Sequence, residues 1–389
     1  MSEAGSVFSS EQVASGASWL SAAAGESDVV VSSRIRLARN LVGFPFPKKG
    51  SRVQRQQVMD LIRARVQRLA RTSAPDDRAR LAWIDVHQSV QADRMLMVER
   101  HVISKEHAQG DLPRAVAISL PDERVSIMVN EEDQIRLQVM CAGLQLGVAF
   151  EQADRLDSLL GGLRPAPEQG ASAERSGPRW IPDETDDWLR YAYSPRFGYL
   201  TACPTNVGTG MRVSVMLHLP ALRLTGEIDK VRRATKDMNL AVRGYYGEGS
   251  EAAGDLFQIS NQTTLGKPER VLLHEFEREV LPHIVEYERK ARTFMVTKRR
   301  KQTEDTVFRA LGTLRYARRL TPEEALPLLS QVRLGILTGL IDDVKVNTVN
   351  QLVLLTQPQH LQRLVGKEMD QDKRREARAD LVRDWVKPT

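Results

Sequence analysis

Apolar positions along this chain change their period from segment to segment. In VQRQQVMDLIRARVQRLA, Val53 to Ala70, they recur every three or four residues, which marks one buried face of a helix. DVVVSSRIRL (Asp28 to Leu37) and RVSIMVN (Arg124 to Asn130) are short β-rich runs. Strand side chains repeat every two residues, so Arg34 and Arg36 in SSRIR are expected on one face. From about 28 to 160 strands and helices alternate, an α+β pattern. Residues 161–182, GGLRPAPEQGASAERSGPRWIP, carry no period and are dense in Gly, Pro, Ala and Ser, which predicts a mobile surface loop or insertion. Between 184 and 295 the strands RFGYLTA and NLAVRGYY flank helical stretches, ALRLTGEIDKVRRATKDM and HEFEREVLPHIVEYERKAR. From 296 to 389 only helical periodicity remains. There Thr321, Pro322 and Glu324 supply an N-cap, a first-turn proline and a capping-box glutamate, and VNTVNQLVLLTQPQHLQRL is a second amphipathic segment, interrupted near Pro358. Three parts are expected: an N-terminal segment 1–27, an α+β domain 28–295, and a separate helical domain 296–389.

A chain of 389 residues suits two domains. With 41% hydrophobic and 27% charged residues it has the composition of a soluble globular protein. The first 27 residues lack a basic start and a signal-length apolar run, and no stretch approaches ~18 consecutive apolar residues; a cytoplasmic protein is expected. Cys141 and Cys203 are the two cysteines, which excludes a disulfide framework or a four-cysteine zinc site within the chain. The net charge of +6, the pI near 9.3 and the KRRK cluster at Lys298 to Lys301 are compatible with nucleic acid. Against that stand 5% aromatic residues and no helix-turn-helix or zinc-finger pattern. An acidic nucleotide needs cations as well.

The candidate chemistry lies in NEEDQIR, CPTNVGTGMR and VRGYYGEGSE. These segments supply carboxylates, a thiol and arginines, and no Walker loop, HRD, DFG or GxSxG sequence accompanies them. Guanidinium groups match phosphate oxygens with planar forks of donors, so Arg34, Arg36, Arg136, Arg212 and Arg243 suit a triphosphate. Glu132 and Glu248 could hold and deprotonate an acceptor. Cys141 reads as a small buried hydrophobe; arginines such as Arg39 and Arg94 read as solvated charges or surface ion pairs.

Six segments, SSRIRLARN, VERHVIS, IMVNEEDQIR, CPTNVGTGMRVSVMLHLPAL, VRGYYGEGSE and FQISNQTTLG, occur in the order found in phosphagen (guanidino) kinases, and the chain most resembles the bacterial branch of that family, the protein-arginine kinases. The resemblance implies a phosphagen-kinase-like catalytic domain, an antiparallel sheet flanked by helices, followed by a smaller all-helical C-terminal domain; SSRIR begins at Ser32, leaving no room for the N-terminal helical domain of the animal enzymes. It implies ATP and Mg²⁺, with transfer of the γ-phosphate to arginine side chains. The catalytic residues would be Glu132, Glu248 and Cys203. Nucleotide would meet Ser32, Ser33, Arg34, Ile35 and Arg36; His101; Arg136; Arg212, Val213, Ser214, Val215 and Met216; and Arg243, Gly244, Tyr245, Tyr246, Gly247 and Glu248. No metal ligand within the chain is assigned. Asn206, Gly208, Thr209 and Gly210 are expected to form a turn that lets backbone approach a ligand. Implied partners are protein substrates with exposed arginine; a zinc-binding activator protein, protease-chaperone machinery and homo-oligomers are compatible with it. Neither membrane nor dedicated nucleic-acid binding is implied. The alternatives are a kinase of free arginine or another small guanidine, and a phosphoarginine-reading adaptor with weak catalysis.

Three positions depart from the family pattern. Gln134 replaces the histidine of NEEDH, Tyr245 replaces a small threonine, and Arg375 replaces the aspartate of a C-terminal phosphoarginine-binding motif whose phosphate-facing arginines would be Arg374 and Arg378. A cation in place of a carboxylate would repel the guanidinium half of phosphoarginine.

Overall fold

A computed structural model describes residues 8–72, 80–165, 180–182, 188–244 and 253–388. Eight strands form the central sheet: β1 Val30–Arg39, β2 Arg80–Ile84, β3 Ala115–Leu120, β4 Val125–Val129, β5 Ile135–Ala142, β6 Met211–His218, β7 Leu240–Gly244 and β8 Leu256–Asn261. Their order is β7-β8-β6-β1-β5-β4-β3-β2, and every neighbouring pair is antiparallel.

The period of two along these strands separates two chemistries. Ile35, Leu37, Leu137, Val139, Val213, Val215, Phe257 and Ile259 are buried on one face. Helices α1 Arg52–Thr72, α2 Leu146–Leu160 and α3 Leu281–Lys298 cover it with residues such as Ile62, Phe150 and Ile284. The predicted amphipathic stripe of Val53 to Ala70 is this α1, and Cys141 belongs to the same core. The opposite face carries Ser32, Arg34, Arg36, Arg136, Gln138, Arg212, Ser214, Arg243 and Gln258. Register sets them side by side: Arg36 lies opposite both Gln138 and Arg212, Arg34 opposite Met140 and Ser214, and Arg243 opposite Gln258.

The end of the chain is helical, as its periodicity predicts: α4 Arg300–Tyr316, α5 Pro322–Leu337, α6 Val346–Leu355, α7 Pro358–Val365 and α8 Gln371–Trp385. Thr321 and Glu324 form the expected capping box, and Pro358 opens α7 at its first turn after α6 has ended. These helices share one apolar cluster with Trp19, Leu20, Val31, Met140, Met216 and Leu256, so sheet and N-terminal residues contribute to their core. Arg333 ties the parts together. It donates to Ser27 O (2.6 Å), Asp28 O (3.0 Å), Asn350 Oδ1 (2.9 Å) and His218 Nδ1 (2.6 Å), while His218 Nε2 meets Ser330 Oγ at 2.9 Å. Burial and the nearby Arg292 push the Arg333 guanidinium down to about 9. The expected loop 161–182 pairs Leu163–Pro165 with Trp180–Pro182 at its two ends; residues 166–179 lie outside the described residues.

Arg333→Met should remove these ties while keeping an apolar stem of similar length. Leaving buried carbonyls and Asn350 without their donor should cost on the order of 2–4 kcal/mol, read from urea unfolding. A change below about 0.5 kcal/mol would mean that the helices do not depend on this junction.

Candidate active site

Five guanidinium groups meet on the polar face of the sheet, and their mutual repulsion weighs on the two most enclosed, Arg34 and Arg36. Burial, followed by Arg136, Arg212 and Arg243, pushes Arg34 down to about 10. Arg36 is held well below its ordinary value by burial and by Arg34, Arg136 and Arg212, with Glu131 opposing. Arg36 Nε and Nη2 are buried without a hydrogen-bond partner. Leaving charged donors unsatisfied is costly, so the arrangement suits a polyanion that would supply the missing acceptors. The neighbours are partly held: Arg34 Nε donates to Ser214 Oγ (3.2 Å), Arg212 Nη2 to Asn206 Oδ1 (3.3 Å) and Arg136 Nη1 to Glu131 Oε1 (2.7 Å). Glu131 also accepts from Ser104. Burial would raise Glu131, but Arg136, His107, Ser104 and Arg36 outweigh it and keep the group ionised, with Oε2 unpartnered.

Beside Arg34 a small, partly open cleft is lined by Ser32, His101, Ser214, Met216 and Gln258 among others. His101 adopts a left-handed backbone (φ 59°), and burial, with Arg34 and Lys105, pushes its imidazole down to about 3, so it is neutral. Not every residue expected to meet nucleotide turns its side chain to this cleft. Ile35, Val213 and Val215 project into the apolar core, and the Ser33 hydroxyl donates to Gly143 O (2.6 Å) and accepts from Gln145 N (3.0 Å). Strand alternation is the reason: every second residue of SSRIR and RVSVM belongs to the other face.

A buried pair of polar residues joins the two acceptor segments. Asp133 Oδ1 accepts from Asn40 Nδ2 and from Ala202 N, both at 2.7 Å, and Asn40 also donates to Leu200 O (3.0 Å). This locks the loop that carries Glu132 against the loop that carries Cys203. Glu132 is partly exposed, 3.9 Å from Arg136, and its pKa is raised by burial and Asp133. Cys203 Sγ lies 3.0 Å from Thr205 Oγ1. Gln134, at the family's histidine position, is fully used: its Oε1 accepts from Leu41 N (2.6 Å) and its Nε2 donates to Pro45 O (3.0 Å). It is a structural tie.

Gly244 pairs with Phe257 at the end of β7. Tyr245, Tyr246, Gly247 and Glu248 follow it and lie outside the described residues. The turn from Asn206 to Gly210 differs from expectation. A Cβ on Gly208 would stand 2.5 Å from Thr264 O, and one on Gly210 2.6 Å from Ala38 O, so the close approach made by these glycines is to the protein's own backbone. Arg39 is likewise no surface ion pair: it is 1% exposed, bound to Asp157 at 2.7 Å, and stacked 3.5 Å over the Tyr199 ring. Arg378, on α8, is buried and donates to Thr356 O (2.7 Å) and Leu320 O (2.9 Å); Arg374 donates to Met369 O (3.1 Å). Arg375 reaches Asp372 at 3.2 Å. In this arrangement the Arg378 guanidinium caps backbone carbonyls.

Comparison with known proteins agrees with both parts of the chain. The family described as ATP:guanido phosphotransferase, C-terminal catalytic domain, matches residues 62–291, and the protein-arginine kinase McsB C-terminal domain matches residues 300–388. The protein-arginine kinase of Halothermothrix orenii is 39% identical over 365 residues, 94% of this chain and 95% of the relative. That of Geobacillus sp. strain WCH70 is 40% identical over 370 residues, 95% and 94% of the two chains. The chain belongs to the protein-arginine kinase family. Its fold is that of the guanidino kinases: lombricine kinase superposes with a TM-score of 0.52 at 22% identity, covering 68% of this chain and 67% of that one. The duplicated taurocyamine kinase of Schistosoma mansoni gives 0.54 at 23%, covering 67% of this chain and 33% of that longer one.

Residue reading overlooked Asn40, Asp133 and Glu131. The two acids sit inside NEEDQIR beside Glu132, so their motif was visible, but their division of labour depends on which loop each faces. Asp133→Ala should release the Cys203 loop from the Glu132 loop. Turnover should fall at least ~10-fold through lost alignment, while ADP affinity, measured by calorimetry, stays within about twofold because Asp133 does not contribute to the arginine cluster. Equal losses in both would show general unfolding of the site.

Proposed function

We infer that this chain is an ATP-dependent protein-arginine kinase that transfers the γ-phosphate of ATP to the guanidinium of arginine side chains. The observation that carries the reading is the Arg36 guanidinium, two of whose nitrogens are buried without a partner, in an arginine cluster beside the tethered Glu132 loop. The length of the match to protein-arginine kinases, which spans both the sheet and the helical end, supports protein as the acceptor.

A guanidinium is a poor nucleophile because its lone pairs are delocalised and its pKa lies above ~12. Glu132 on one side, and Glu248 from the residues that follow β7 in sequence, would receive the fork of N–H donors, align one nitrogen with the γ-phosphorus and accept its proton as the N–P bond forms and the bond to the β,γ-bridging oxygen breaks. The raised pKa of Glu132 makes its carboxylate a better base. Cys203, held against the same loop, would lie beside the acceptor, where a thiolate would attract a guanidinium nitrogen. Arg34, Arg36, Arg136, Arg212 and Arg243 would bind the phosphate oxygens and offset charge on the transferring group, and the neutral His101 would face the nucleoside. Mg²⁺ fits this site as an ion held chiefly by phosphate oxygens, with the unpartnered Glu131 Oε2 the carboxylate oxygen on this face suited to it; when bound it would neutralise phosphate charge.

Incubation with ATP and an unfolded protein should yield acid-labile phosphate on arginine, with free L-arginine a weak competitor. Glu132→Gln and Glu248→Gln should each lower turnover by at least ~10²-fold while ADP binding survives. Rapid phosphorylation of free arginine without transfer to protein would establish the small-guanidine alternative, and an active Glu132→Gln enzyme would remove Glu132 from the chemistry.

A further inference from the structure

Trp19 belongs to the N-terminal segment, outside the six segments that carry the family resemblance, yet its ring reaches the cleft beside the arginine cluster. It sits in the single helical turn Ser18–Leu20, is 2% exposed, and its indole Nε1 has no hydrogen-bond partner. Its ring meets that of His101 edge to face, with centroids 5.1 Å apart and planes at 88°. Together with Met140 and Met216 these rings line the cleft that continues to Ser32 and Arg34.

The turn is held from outside the sheet. Asn350 donates to Leu20 O (2.9 Å), Asn347 accepts from Ala22 N (2.8 Å), and Arg100 donates to Gly16 O (2.8 Å). These bonds fix the backbone on both sides of Trp19 and so limit where its N–H can go. A buried donor without an acceptor is a standing cost that a ligand bringing an acceptor would relieve. A polyanion seated on Arg34 and Arg36 would direct its other end into this cleft. The lining there is two aromatic rings and two thioethers, which suits a flat heterocycle better than a sugar.

We propose that Trp19 is a nucleobase-binding residue: its indole N–H donates to a ring nitrogen of the adenine of ATP, beside the His101 ring. The proposal rests on the nucleotide reading of the arginine cluster. It adds to the substrate site a residue that the sheet itself does not supply.

The test compares ADP with inorganic triphosphate, which presents phosphates without a base. Trp19→Phe keeps an aromatic ring and deletes the donor. Calorimetry should show ADP binding weakened about fivefold to tenfold, the range of one neutral hydrogen bond, with triphosphate binding unchanged; KM for ATP should rise while kcat at saturating ATP is retained. In the wild-type protein, independently of how the variant folds, ADP should slow hydrogen exchange at the amides of residues 18–22 and triphosphate should not. Unchanged ADP affinity in a folded variant would overturn the proposal, as would equal weakening of both ligands or equal exchange protection by both. Wild-type protein that binds neither ligand would overturn the nucleotide reading itself, and the proposal with it.

Discussion

Crowding of like charge on one face of the sheet is the constraint to which the rest of this structure answers. Five arginines drawn together repel, which with burial lowers the affinity of Arg34 and Arg36 for protons, and Arg36 is left with donors that nothing satisfies. Such a cluster persists only where the surrounding fold supplies enough stability to hold it. Here the opposite face of the same strands does so, burying Ile35, Val213, Val215 and Ile259 under three helices. Alternation along β1 and β6 therefore performs two tasks at once: each residue that adds to the core sets its neighbour into the cationic face.

Positioning of the acceptor side follows from a smaller device. Glu132 and Cys203 lie some seventy positions apart in the chain, and Asp133 with Asn40 brings their loops into contact through three hydrogen bonds. Gln134 then secures Leu41 and Pro45 on the other side of that loop. A glutamine does this as an acceptor and donor in one neutral group, which explains how the chain accommodates the loss of the family's histidine without leaving a buried polar group unmade.

The helical end is bound into the same design. Glu99 accepts from Gln359 N and His360 N at the start of α7, Arg100 pairs with Glu123 at 2.7 Å, and the next residue is His101 at the cleft. Arg333 and Asn350 hold the segment that carries Trp19. Buried cations pinned by carbonyls are directional, and they connect the helices to the cleft through short, specific paths. Arg378 belongs to this class of internal tie. Its capping of Thr356 and Leu320 explains why the altered motif around Arg375 can remain part of a packed helix.

Much of this protein was determined locally. The two periodicities set which residues of SSRIR share a face and where α1 buries its stripe, and the Thr321-Pro322-Glu324 cap marked the start of α5, because each depends on backbone geometry within a few residues. Motif order sufficed for the family. What tertiary structure decided were matters of direction and of distant pairing. Whether Gly208 and Gly210 approach a ligand or the protein's own backbone, whether Arg39 is exposed or sealed against Asp157, and whether Arg378 faces a ligand or a carbonyl are set by segments far away in the chain. Trp19 is the sharpest case: an isolated tryptophan in a segment rich in Ala, Ser and Gly carries no period, and only its packing between the sheet and α6 turns its unpartnered N–H toward the question of what it binds.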